Sequence, residues 1–356
     1  MVNPGVSPQC VVCDAPDLDV YWSSLEMSST SAEFPVGTEH RATPNFFVVG
    51  APKAGTTSLY HYLDQHPAVY VSPIKEPCFF APEVVDLTPR AREIFTADAE
   101  ALGAYLDGPV REKRRSGFVL EWEQYLKLFK NVRGETAVGE ASVSYLGSIG
   151  APRAICERTP HGRIIMMLRD PADRLFSHYE AARAAGSSDA TFVQWAAEQV
   201  LEEARRSTPW GPVWAGRYAV HVRRYLECFS PEQMRVYLYA DYVRAPEMVI
   251  RDVLAFLGVD PGLPIDTGRR HNVTLVPRWP TLHRTVIRPF ARATRAIVPA
   301  PIVMLARRWY LTPRRLAPTA PERARVIEIY ERDIRTLETL IRRDLSSWLN
   351  PETSPS

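Results

Sequence analysis

The stretch "FFVVGAPKAGTTSLYHYL", Phe46 to Leu63, leaves this chain little choice of local structure. An apolar run (Phe46–Val49) meets a glycine, then a turn of Pro, Gly and Thr, then residues that suit a helix. This reads as strand, tight loop and helix, the layout that aims backbone N–H groups and a helix N-terminus at an anion. Gly50 and Gly55 have the spacing of the common phosphate loop G-x-x-x-x-G-K-[ST], but Thr56 stands where its lysine belongs. The lysine, Lys53, comes two residues before the second glycine. Lys53, Ala54, Gly55, Thr56, Thr57 and Ser58 are therefore candidate phosphate-binding residues, three of them bringing hydroxyl donors. The plainer reading is a strand–helix turn whose hydroxyls only cap the helix.

The same alternation recurs. "AVYVS" (Ala68–Ser72) reads as a second strand, and Pro73 to about Glu140 is irregular, with helical pieces near Ala91–Leu106 and Glu121–Phe129. "APRAICERTP" predicts a helix opened by Pro152 and closed by Pro160. Arg163–Leu168 is apolar on both faces, as in the middle of a parallel sheet. "DRLFSHYEAARAAG", "FVQWAAEQVLEEARR", "GRYAVHVRRYLECF" and "APEMVIRDVLAFLGV" predict further helices, and "MRVYLYADYV" a strand running into a loop. "PERARVIEIYERDIRTLETLIRRDLSSWL" closes the chain as an amphipathic helix. Strands alternating with helices imply an α/β domain on a parallel sheet, over residues 44–350, behind a loosely ordered lead-in at 1–43.

Two more stretches carry chemistry. In "LRDPADRLFSHY", Arg169 follows the Arg163–Leu168 strand at its carboxyl end, the ligand side of an open α/β sheet. Ser177 lies eight residues on; a guanidinium fork and a hydroxyl suit a phosphate dianion. Taken singly, Arg169 reads as an ion-pair partner of Asp170 or Asp173. In "SPIKEPCFF", Glu76 falls just past the second strand, where a carboxylate can take a proton from a hydroxyl. The bland alternative is a solvated Lys75–Glu76 pair in a turn before Pro77.

Bulk composition mainly excludes. With 43 basic and 41 acidic residues there is no general case for nucleic acid. The N-terminus lacks the charged and apolar regions of a signal peptide, and no long apolar window suggests a membrane span, so the cytoplasm is the expected compartment. Five scattered cysteines argue against a disulfide framework, and Cys10–Cys13 lacks the partners of a zinc site. His61 and His66 are not at metal-binding spacing, and His161, His178 and His221 stand singly, as surface or helix-packing residues, so no metal is expected. The basic, apolar segment Leu282–Tyr310 fits a core-packed helix with its arginines in water, or a helix lying in a bilayer interface.

Taken in order, these stretches resemble the sulfotransferases that use 3′-phosphoadenosine 5′-phosphosulfate (PAPS). "PKAGTT" looks like the family's 5′-phosphosulfate loop, "LRDPADRLFSHY" like its 3′-phosphate motif, and "KEPCFF" like the stretch carrying the glutamate base in bacterial and carbohydrate-directed members. "GRYAVHVRRYLECF" opens a block whose first tyrosine, Tyr218, approaches the adenine in that family. The resemblance runs from about Asn45 to Gly258 and, less clearly, to Trp348. It implies a P-loop-like parallel sheet flanked by helices and transfer from PAPS to the hydroxyl of a small-molecule, lipid or carbohydrate acceptor. Lys53 and Glu76 would be catalytic, and Arg269 and Arg270 would cover the 3′-phosphate. It also explains the lysine: a sulfuryl group carries less charge than a phosphoryl group, so one cation aimed at the bridging oxygen can serve without a metal.

Two departures stand out. "GEASVSYL" resembles the "EKS" stretch of heparan-type enzymes, but Ala141 occupies the lysine position, which weakens a glycosaminoglycan assignment. "GRRHNVTLVPR" replaces the R-K-G loop of the cytosolic branch. The rival readings are a P-loop nucleotide kinase or NTPase, which needs a lysine after Gly55 and an acidic magnesium ligand, and a non-catalytic membrane-associated nucleotide-binding protein.

Overall fold

A computed structural model of the chain describes residues 42–87, 100–110, 112–114, 117–268, 275–277, 311–313 and 317–353. Five strands form one parallel sheet: β1 (Phe46–Gly50), β2 (Val69–Val71), β3 (Ala137–Ala141), β4 (Arg163–Leu168) and β5 (Met234–Leu238), in the order β2-β3-β1-β4-β5. Every residue of β1 and β3 is buried, as expected for strands covered on both faces. Because all five run the same way, the segments after Gly50, Val71, Ala141, Leu168 and Leu238 leave from one edge.

The longer helices are α1 (Thr56–Leu63), α2 (Ala151–Arg158), α3 (Pro171–Ala185), α4 (Phe192–Arg205), α5 (Tyr218–Leu226), α6 (Pro246–Leu257) and α7 (Ala320–Ile341). Local chemistry sets their ends. Gly186 after α3 and Gly258 after α6 take left-handed φ values of 65° and 75°. Thr191 and Gln194 make a capping box for α4, and Thr319 and Glu322 another for α7. Helix α7 lies against α3, α4 and α5. Its Arg323 reaches the start of α3, pairing with Asp170 and Asp173, all three side chains being at most 4% exposed.

Two expectations need correction. The region before Glu140 is not irregular to its end: "AVGEA" forms β3, which separates β2 from β1. Gly and Glu are both poor strand formers, which hid it. The glycine is required, since a Cβ on Gly139 would lie 2.3 Å from the Phe46 carbonyl oxygen. And "MRVYLYADYV" does not run from strand into loop; β5 is followed directly by a short helix, Tyr239–Arg244. The lead-in up to residue 41, Cys10 and Cys13, Arg269 and Arg270, and all of segment 282–310 fall outside the described residues.

Candidate active site

The phosphate-loop candidate leaves β1 at Gly50 and enters α1 through Gly55, whose φ of 85° favours glycine. A Cβ on Gly55 would lie 2.9 Å from the Tyr239 ring, so a backbone without a side chain is needed here twice over. Ala54, Thr56 and Ser58 are buried, Thr57 is half-buried, and Lys53 is exposed with a left-handed φ of 67°. The loop thus turns its lysine outward over an otherwise anchored backbone, with Ala51 N–H donating to the Met167 carbonyl on β4.

Arg169 follows β4, and its Nη1 donates to the Lys53 carbonyl oxygen at 3.3 Å. This joins two of the three stretches picked out by sequence. The guanidinium also lies 5.0 Å from the centre of the Tyr239 ring, an orienting contact. Arg169 is not the partner of Asp170 or Asp173; Arg323 takes that role. Asp170 caps α3, its Oδ1 accepting from the N–H groups of Ala172 (2.9 Å) and Asp173 (3.1 Å), while Oδ2 meets Arg323. Both its oxygens are committed to structure.

Ser177 is half-buried on α3, three residues beyond Arg174 on the same helical side. Arg174 Nη1 donates to His178 Nδ1 at 3.1 Å, so the ring proton of a neutral His178 sits on Nε2. Burial, then Arg174, then Lys53 hold the His178 imidazole well below its ordinary pKa. Tyr218, at the start of α5, is fully buried and donates to the Arg169 carbonyl at 2.8 Å. Its contact here is beneath the Arg169 segment.

Glu76 lies past β2, with φ at 69°, and its N–H donates to the Ala141 carbonyl at the end of β3, next to the β1 loop. Its carboxylate accepts from Lys75 Nζ at 3.0 Å. That pair is not a solvated one: the Lys75 side chain is 7% exposed against 33% for Glu76. A buried ammonium thus holds one oxygen of a half-exposed carboxylate.

Beneath this segment lies a group that motif reading passed over. Glu140, 1% exposed on β3, accepts from Tyr125 Oη (2.8 Å), Tyr145 Oη (2.6 Å) and Ser142 Oγ (2.7 Å). Burial pushes its carboxyl up to about 7, against the pull of those three donors. Two signals pointed to it: a carboxylate inside an apolar run, and its place in the "GEASVSYL" stretch, which was read only for Ala141. Among the described residues, no group of three or more His, Cys, Asp or Glu is placed to hold a metal.

The model of the sulfotransferase family matches residues 44–261, which include every described residue of the three stretches and more than half of the chain. The chain belongs to the sulfotransferase family. A solved sulfotransferase from Alicyclobacillus acidocaldarius is 32% identical, with a TM-score of 0.60, over 86% of this chain and 99% of that one. Bifunctional heparan sulfate N-deacetylase/N-sulfotransferase 4 of Mus musculus is 29% identical over 229 residues, 61% of this chain and 22% of its own length. Carbohydrate sulfotransferase 15 of Mus musculus is 26% identical over 297 residues, 70% of this chain and 52% of its own. This family member therefore spans about a fifth to a half of those two relatives. Among its described residues no helix is long and apolar enough to cross a membrane.

Proposed function

We propose that this protein transfers a sulfuryl group from PAPS to an acceptor hydroxyl. The observation that supports the reading is the Arg169–Lys53 bond, which joins the two candidate anion-binding stretches on the sheet edge that also bears Glu76. The donor set suits a nucleotide with two separate anionic ends. The backbone of Lys53–Ser58, with the hydroxyls of Thr56, Thr57 and Ser58, would hold the 5′ end, on a turn whose Gly55 packs too closely on the Tyr239 ring to carry a Cβ. Arg169 and Ser177 would hold the 3′-phosphate, with Tyr218 beneath Arg169; Arg269 and Arg270 are assigned there by resemblance. PAPS supplies the sulfuryl group and a stable bisphosphate leaving group.

Glu76 takes the proton from the acceptor hydroxyl, and Lys75 keeps its carboxylate oriented. Lys53 offsets the negative charge that develops on the leaving side. The names of the relatives favour a carbohydrate acceptor, and Ala141 in place of a lysine weakens a heparan-type assignment. The cytoplasm is the proposed compartment. The nucleotide-kinase reading is disfavoured by Thr56 after Gly55 and by the commitment of both Asp170 oxygens. The deciding experiment incubates the protein with PAPS and host extract and weighs the products. Products heavier by one sulfuryl group support the reading; phosphorylated products made from ATP would replace it with the kinase.

A further inference from the structure

We propose that Glu140 is a positioning residue that clamps the backbone bearing Glu76 through two hydroxyl relays. The inference rests on the reading of Glu76 as the base. Ser142 Oγ donates to Glu140 Oε2 at 2.7 Å and accepts from the Cys78 N–H at 3.1 Å. Tyr145 Oη donates to Glu140 Oε1 at 2.6 Å and accepts from the Phe80 N–H at 3.3 Å. One buried carboxylate therefore fixes two alternate amides of the segment that follows Glu76. Tyr125 Oη, at 2.8 Å from Oε1, holds the carboxylate itself in place.

The segment needs such a hold. Glu76 and Cys78 are both in left-handed conformation, with φ of 69° and 57°, which residues with a Cβ adopt only when their surroundings impose it. The Glu76 N–H bond to the Ala141 carbonyl ties one end, and the two relays tie the next four residues. Burial holds Tyr145 and Tyr125 well above their ordinary pKa values, so both hydroxyls stay protonated as donors. A hydroxyl that donates to an anion becomes a better acceptor, so an ionised Glu140 strengthens both amide bonds. Glu140 lies in the core, where a hydrophobic residue would otherwise be expected, and this anchoring accounts for a charge there.

The test has a structural arm and a kinetic arm, both at pH 8. In the full-length protein, Glu140→Gln should speed hydrogen exchange at the Cys78 and Phe80 amides at least about tenfold, while the β1 and β4 amides hold. Unchanged exchange at those two amides overturns the clamp, whatever Glu76 does. Tyr145→Phe is the second variant if Glu140→Gln fails to fold; it should free the Phe80 amide and leave Cys78 protected, and protection of both overturns the clamp. In the kinetic arm, with PAPS and water as the probe acceptor, Glu140→Gln should lower turnover about tenfold and change bisphosphate affinity little. In a Glu76→Gln background it should have no further effect. An equal tenfold loss in both backgrounds overturns the positioning role. Unchanged turnover in Glu76→Gln alone instead sinks the reading of Glu76, and with it the catalytic consequence of the clamp, leaving the exchange result to stand by itself.

Discussion

Arg169 donates to the carbonyl oxygen of Lys53, and this single bond between residues 116 apart builds the candidate donor site from two loops. It ties the position of the Lys53 loop to that of the segment after β4. A group that binds both ends of the site should therefore feel changes in either loop.

Adenosine 3′,5′-bisphosphate should raise the melting temperature well beyond 5′-AMP, because only the folded site offers Arg169 and Ser177 to a second phosphate. Arg169→Ala should weaken bisphosphate binding by about 10- to 100-fold, the usual effect of losing hydrogen bonds to a charged group. A thermal melt measures the first and titration calorimetry the second. Equal melting shifts from the two nucleotides would remove the 3′-phosphate assignment.

Lys53→Ala and Glu76→Gln should separate two roles. The first removes charge from the leaving side, so turnover and donor affinity should fall together. The second keeps shape and hydrogen bonding but is a very poor base, so turnover should drop around a hundredfold while bisphosphate affinity holds. Phenolic acceptors, which ionise more readily, should depend less on Glu76 than aliphatic alcohols. Normal turnover of an aliphatic alcohol by Glu76→Gln would make Glu76 only a turn residue.

Glu140 gives a pH signature with a definite sign. Its carboxyl is raised from an ordinary 4.5 to about 7 in the folded chain. Folding therefore binds its proton more tightly, and wild-type stability should fall as pH rises from about 4.5 to about 7. At about 1.4 kcal/mol per pH unit the whole effect is at most about 3.5 kcal/mol. Glu140→Gln resembles the neutral acid and lacks this slope, so its stability relative to wild type should improve between pH 5 and pH 8. Urea denaturation at pH 5, 6 and 8 measures it. A variant that holds its stability at pH 8 yet turns over more slowly is what a positioning role requires; a gap that widens with pH would show that ionised Glu140 stabilises the fold.

Arg323→Ala should destabilise the protein by about 3–5 kcal/mol, since it leaves Asp170 and Asp173 buried beside one another without their cation. Denaturant titration checks it. A loss below about 1 kcal/mol would mean that water or another cation replaces Arg323.

Elements whose signals are local can be placed from the amino acids alone. Strand β4 falls at Arg163–Leu168 as read, α6 ends at Gly258 as read, and the β1–α1 turn follows from Gly50, Gly55 and the hydroxyls after it. Each depends on residues within a turn or two of chain. Strand β3 was hidden because its Gly139 and Glu140 argue against a strand; only the Phe46 carbonyl against Gly139, and the hydroxyls of Tyr125, Ser142 and Tyr145 folded around Glu140, make them fit. Arg169 read as easily as a partner of its neighbours Asp170 and Asp173. The tertiary structure gave those acids to Arg323, about 150 residues away, and turned Arg169 to Lys53. Spacing along a chain can name which residues share a loop, but which charges meet across the core is decided by how strands and helices pack. The solvation of a buried ion depends on everything that surrounds it.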